Sequence, residues 1–424
     1  MTASADGPAS DHEEAIPDHE PAGRWRQLAV IATGVLFAFA PWFSASAVAP
    51  LLQAEWHPST LDLPLLTVAV QVGFAAAAIG LAVSGAADAI AGPKLFAAGA
   101  TIAAAGNLGF ALLADSPAAA LPWRALTGAG LAAAYPVAVR MLSGWFRRER
   151  GLAIGVLIGA LTVGSALPHL IRALGATNGL DWRPTVAIGS VVALVGGALV
   201  GLAGRPGPNE VLAARFSPAA AARAFREPSV RLANLGYLGH MWELYAMWTW
   251  IPAFLGASFA AAGLADPAAA AFASFVVVGV GGIGCILAGL LADRLGRTTL
   301  TIAAMAGSGA SALVVGFLFG AAPAAVVALG LVWGLTVIAD SAQFSAAVSE
   351  LAPAGTAGSA VSIQMASGFL LTGVTILGLG LAAPTGTAWR VAFWVLALGP
   401  LVGIAAMWRL RSRPDAAKMA SGHR

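Results

Sequence analysis

The sequence predicts an all-α polytopic membrane protein: twelve transmembrane helices in two six-helix halves. Three observations carry that prediction. Of 424 residues, 58% are hydrophobic and only 10% charged, against about 45–50% and 25% in a soluble domain. A mean hydropathy of +0.81 leaves the apolar excess no destination but lipid. The apolar runs are long and continuous instead of alternating, which favours helices over a barrel, because each lipid-facing backbone group must be satisfied within its own segment. Finally, two motifs recur at offsets of 205 and 204 residues, the mark of a duplicated half.

Charge and Pro/Gly punctuation bound the spans. Residues 1–23 precede them. Asp6, Asp11, Glu13, Glu14, Asp18 and Glu20, with no basic residue among them, are the opposite of a secretory leader and read as a disordered cytoplasmic tail. Span 1, 27–50, holds Pro41-Trp42-Phe43-Ser44 near mid-membrane, a kink that exposes backbone groups beside aromatic and hydroxyl side chains. Spans 2 and 3, 64–85 and 94–113, flank a loop carrying Asp88. Span 4, 119–143, begins with Arg124. Span 5, 151–174, carries Gly155, Gly159 and Gly164, for which close helix packing is sufficient reason. Span 6 is 184–204.

The longest polar interruption, 205–229, separates halves at 24–204 and 230–410. Within it Ser217-Pro218 reads as the N-cap and first position of a short surface helix ending near Glu227-Pro228. Spans 7 to 12 follow at 230–256, 268–292, 298–320, 322–349, 355–380 and 387–410, and 411–424 forms a second cytoplasmic tail. Placing the N-terminus in the cytoplasm puts nineteen of 23 basic residues on that side, leaving Arg124, Arg172, Arg183 and Arg390 outside or within spans.

The repeat is visible in Ser84-Gly85-Ala-Ala-Asp88-Ala-Ile-Ala-Gly92-Pro-Lys94 after span 2 and Gly289-Leu-Leu-Ala-Asp293-Arg294-Leu-Gly296-Arg297 after span 8, with Asp88 and Asp293 205 residues apart. Gly151-Leu-Ala and Gly355-Thr-Ala match at 204. On these residues the chain resembles the major facilitator superfamily of secondary transporters from residue 24 onward. Gly289 to Arg297 reproduces the family's loop pattern G-x-x-x-D-R-x-G-R without a gap, whereas the first-half copy keeps Asp88 but lacks the following Arg. Arg124-Ala-Leu-Thr-Gly128-Ala-Gly130 is similar to the family's R-x-x-x-G-x-G, and Trp145-Phe-Arg-Arg-Glu-Arg150-Gly151 to its link between the fourth and fifth helices. The resemblance implies a gating loop of Asp88, Asp293, Arg294, Gly289, Gly296 and Arg297, and a central cavity lined by the first, fourth, seventh and tenth helices.

A charge inside a span costs roughly 2.5–3.5 kcal/mol even on the lenient insertion scale, so each calls for a reason. Span 7 places His240 and Glu243 three residues apart on one face. A desolvated carboxylate beside an imidazole can load and release a proton in the physiological range, which makes Glu243 the expected proton-coupling group and His240 its partner or relay. In span 10 Trp333, Thr336, Asp340 and Gln343 share a face. Asp340 lies 205 residues after Tyr135 of span 4, and by the resemblance Tyr135, Glu243 and Asp340 face one space. Arg124, pointing inward, suits a substrate carboxylate through its guanidinium fork. Trp42, Ser44, Tyr245 and Gln343 complete the candidate substrate contacts, with His169 a weaker candidate.

No disulfide or thiolate cluster is open to the single Cys285, and the six histidines form no ligand cluster. Neither a Walker loop nor a nucleophile elbow occurs, and the dispersed basic residues do not suit nucleic acid. The expected protein is a cofactor-free monomer in the inner (plasma) membrane, both termini cytoplasmic, its partners a small-molecule substrate, a proton and the bilayer. It is expected to import a small organic anion by proton-coupled alternating access, with a proton-driven drug or solute efflux antiporter as the alternative. A membrane enzyme built on His240 and Glu243 lacks a third ligand.

Overall fold

The computed structural model describes residues 21–146, 149–210, 216–382 and 384–423, and within them the side chains of all but residues 87, 88 and 421. Most of the acidic tail, the side chain of Asp88, and Arg147, Arg148, Arg215 and Arg424 lie outside the described residues. Every span is helical, and no strand occurs among the described residues.

Eleven helical segments are long and apolar enough to cross a membrane. They are span 2 (Asp62–Ser84), span 3 (Gly92–Leu113), span 4 (Pro117–Ser143), span 5 (Arg150–Thr177), span 6 (Trp182–Ala203), span 7 (Pro228–Ala261), span 8 (Pro267–Leu295), span 9 (Arg297–Leu318), span 10 (Pro323–Leu351), span 11 (Ala357–Ala382) and span 12 (Gly386–Arg411). Span 1 is the twelfth and is assembled from three pieces, Arg24–Ala38, Ser44–Ala47 and Ala49–Trp56. Pro41 explains the first break: it has no N–H to give, and its ring obstructs the helical bond toward the preceding turn. The short helix Pro218–Ala224 starts as expected, with the Ser217 hydroxyl accepting from the N–H of Ala220.

Packing within the halves repeats. Spans 1 and 6, 3 and 6, 3 and 4, and 2 and 4 touch in the first half; spans 7 and 12, 9 and 12, 9 and 10, and 8 and 10 touch in the second. The halves meet along two seams, span 5 on span 8 and span 2 on span 11, which the duplication interchanges. Span 4 breaks after Ala132 and resumes at Tyr135, and span 10 breaks after Val337 and resumes at Ser341, so both spans bend at equivalent repeat positions.

The face carrying both ends of the chain, the terminal face, is sealed. Span 5 lies so close to span 8 that a Cβ on Gly155 would sit 2.7 Å from the Cys285 carbonyl, and one on Gly289 would sit 2.5 Å from that of Gly151. Gly289 of the loop pattern is therefore a packing position. Gly296 turns the chain at φ +85°, a left-handed conformation that disfavours a side chain. The end of the chain folds back instead of trailing free: Ala416 and Met419 are buried, and the Ala420 N–H reaches Glu350 at 3.3 Å.

Candidate functional site

Two buried polar clusters of opposite sign, one in each half, flank an aromatic layer. In the first half the break in span 1 leaves the carbonyls of Pro41 and Trp42 outside the helical ladder, in an apolar interior where a bare carbonyl is costly. Arg124 answers both. Its Nη1 donates to Pro41 O (3.0 Å), Ser44 Oγ (2.9 Å) and Asn107 Oδ1 (3.0 Å), and its Nη2 to Trp42 O (2.5 Å). The Phe110 ring lies 5.4 Å beneath the guanidinium, and no carboxylate stands within ion-pair distance of it among the described residues. Asn107 joins this hub to span 6 by donating to Val186 O and Ser190 Oγ. Arg124 does point inward, as expected, but its terminal nitrogens are engaged by the kink. Ser44 is engaged likewise, donating to Asn107 Oδ1 at 2.7 Å.

The second half buries acid. Glu243 accepts from Ser308 Oγ of span 9 and Trp333 Nε1 of span 10, each at 2.7 Å. His240 does not partner Glu243 in the structure. Its Nδ1 lies 2.9 Å from Oδ1 of Asp340, both side chains 1% exposed. Neither Asp340 oxygen has a donor in hydrogen-bond alignment, and His240 Nε2 is unpartnered. Trp333 and Asp340 of span 10 both reach the same face of span 7, Trp333 at Glu243 and Asp340, at the break, one turn away at His240. One face of span 7 thus serves two carboxylate sites instead of forming one pair. The expected face of span 10 is divided too: Gln343 is held by Arg297 Nη1 at 2.7 Å, near the terminal face.

That contact belongs to a clamp. Arg297 grips Glu350 through Nε (2.7 Å) and Nη2 (2.5 Å), and stands 3.7 Å from Asp293, whose side chain is 62% exposed. Arg294 is exposed. Of the gating residues expected from the sequence, Arg297 makes the strong contact, and its partner Glu350 gave no motif to find it by.

Between the halves lies the aromatic layer. Tyr245 sits 5.6 Å from Trp42, 6.0 Å from Phe43, 5.5 Å from Trp248 and 5.4 Å from Phe369. Tyr135 meets the edge of this cluster through Phe39. The indole N–H groups of Trp42 and Trp248, both amide atoms of Gln71 and the Ser165 hydroxyl are buried here and in the adjoining spans without partners. Sequence reasoning passed over Gln71, Asn107, Ser165, Trp248 and Ser308, since neutral polar side chains and tryptophans give no charge signal within an apolar run, and it placed Trp333 on the face of Asp340 without pairing it to Glu243.

One turn outward from the layer a cavity of about 790 Å³ reaches the face opposite the termini. Residues 45–53 of span 1 and 249–260 of span 7 contribute to its wall, with His169 and Arg172 of span 5 and loop residues such as Ser59, Asp266 and Thr385. The molecule is open on one face and shut on the other.

A family model described as Major Facilitator Superfamily matches residues 31–375. None of the curated proteins matches the sequence. Among solved structures, the proton:xylose symporter XylE bound to 6-bromo-6-deoxy-D-glucose superposes with a TM-score of 0.70 at 14% identity, covering 92% of this chain and 96% of that one. A partially occluded, inward-open xylose transporter XylE from E. coli gives 0.70 at 14%, covering 92% and 98%. A D-xylose-proton symporter gives 0.71 at 16%, also covering 92% and 98%.

Proposed function

The chain belongs to the Major Facilitator Superfamily, and on that premise we propose that it imports a small organic anion together with a proton across the inner (plasma) membrane, with its terminal face cytoplasmic. One observation carries the reading: a cavity open to one face ends on an aromatic layer, while the other face is closed by the seam between spans 5 and 8 and by the Arg297 clamp. Alternating access needs such a state and its mirror.

Glu243 is the proton carrier. Its two partners are neutral donors, so a proton arriving there removes a buried charge that no cation balances, whereas Asp340 already faces His240. His240 and Asp340 form the second titrating pair, coupled to movement of span 10 at its break. Substrate rests against Trp42, Tyr135, Tyr245, Gln71 and Trp248, whose unpartnered N–H groups and amide supply donors. Arg124 and Ser44 hold the kink that presents Trp42, and Gln343 serves the clamp.

The test is uptake into proteoliposomes under an imposed pH gradient, with small carboxylates, D-xylose and lipophilic cations as solutes. Carboxylate accumulation driven by the gradient in the wild type, with Glu243→Gln reduced to exchange without accumulation, is the expected result. Xylose-driven current in its place would assign the solved symporters' cargo to this chain. Currents with lipophilic cations alone would assign efflux, a reading for which the apolar rings of Phe43 and Phe369 in the layer speak. Gradient-driven accumulation surviving in Glu243→Gln would remove Glu243 from coupling.

A further inference from the structure

Among the described residues, the basic side chains in the cavity wall, His169 and Arg172, both come from span 5. His169 and Arg172 lie three residues apart, hence on one helical face, and both line the cavity, Arg172 toward its outer end where the loop residues 177–181 begin. His169 is 1% exposed and its Nδ1 has no partner; Arg172 is 9% exposed. No hydrogen bond or ion pair to Arg172 occurs among the described residues. The acids bordering it have other work. Asp181 Oδ1 accepts from the Trp182 N–H at 2.6 Å, and Asp266 Oδ1 accepts from the N–H groups of Ala268 and Ala269 at 2.8 and 3.2 Å, each capping the start of a span.

Arg172 has Asp181 near enough to attract its charge but hydrogen-bonded to none of its nitrogens, so its planar fork stays free to match a carboxylate. Charge in a narrow, apolar-walled cleft also focuses its field on entering ions. Arg124, whose terminal nitrogens are engaged at the kink, does not line the cavity and presents no free fork to it. From this arrangement we infer that His169 and Arg172 form a vestibular capture site for small monocarboxylates, the first station on the way to the aromatic layer. Arg172 takes the carboxylate through its fork and His169 adds a donor from Nδ1. One fork and one imidazole suit a single negative charge. The inference rests on the import reading for its purpose, but the site binds whether or not transport is coupled to protons.

The experiment therefore measures binding. Full-length protein in nanodiscs is titrated with formate, lactate and benzoate, each beside its uncharged amide, following tryptophan fluorescence, to which Trp250 in the cavity wall contributes. At least one acid is expected to bind about tenfold more tightly than its amide. Arg172→Gln is expected to abolish that preference, Arg172→Lys to retain part of it, and His169→Gln to weaken it severalfold, with monodispersity confirming each fold. Equal binding of acid and amide in every pair, absence of binding by all six probes, or a preference untouched by Arg172→Gln overturns the site. Glu243→Gln separates the two readings: preserved anion preference with lost accumulation supports both, and preserved accumulation defeats the proton-carrier assignment alone.

Discussion

Arg124 shows what one side chain must do when a membrane helix breaks. Two of its four hydrogen bonds go to backbone carbonyls at the break, those of Pro41 and Trp42, and the other two tie Ser44 and Asn107 to it. Arg124→Gln is expected to leave the Trp42 carbonyl short, at roughly 1–3 kcal/mol, while the Pro41 carbonyl keeps Ser44 as a donor, so thermal unfolding in detergent should move down by a few degrees. A carboxylate that raises the unfolding temperature of the wild type but not of Arg124→Gln would instead make Arg124 a substrate contact. Trp333→Phe tests the opposite hub. It removes one donor from Glu243 while keeping most of the ring, and should shift the pH profile of uptake without abolishing expression. Charges were legible as candidates because lipid makes them expensive. Their partners were not: His240 and Glu243 are neighbours on the helical wheel, yet Asp340 is the carboxylate that reaches His240. Helical spacing places two side chains on one face and is silent on which neighbouring span approaches it.

At the scale of elements, the seam of spans 5 and 8 and the paired breaks in spans 4 and 10 are the moving parts to test. A Cβ on Gly159 would fall 2.8 Å from the Gly282 carbonyl, so Gly159→Leu cannot fit with the terminal face shut. The chain carries its own reporter, since its single cysteine, Cys285, is buried against this seam. Maleimide labelling of Cys285 should be slow in the wild type and at least several times faster in Gly159→Leu; unchanged labelling would mean that the seam is not the gate. The glycines of span 5 were readable as close packing. The partner helix was not. The break at Ala133-Ala134 lies in a run as apolar as its flanks, so hydropathy passes over it; at Ile338–Asp340 the charge of Asp340 drew notice without marking a break, and the 205-residue register connects the two.

At the scale of the molecule, the end of the chain acts on the closed face. The Ser229 hydroxyl donates to Asp415 at 2.8 Å, and Lys418 stands 3.1 Å from it; these contacts, the Ser229 bond foremost, hold the Asp415 carboxyl below the usual aspartate range. A depressed carboxyl stabilises the docked tail above its unfolded value, about 3.9, and that contribution fades as pH falls through its lowered one. Docking should therefore persist from neutral pH to about pH 5, and Ser229→Ala should speed tryptic cleavage at Lys418 there; equal cleavage rates would detach the tail from Ser229. Severing Arg297 from Glu350 by Glu350→Gln should likewise raise Cys285 labelling. The fold class, the twelve spans, the halving and the buried charges were settled by composition and period, because water, lipid and the backbone's need for hydrogen bonds act on each segment locally. Which carboxylate meets His240, what occupies Arg124, where the tail docks and which face is open were decided only by tertiary packing, because they depend on the approach of helices far apart in the chain, a distance no local pattern encodes.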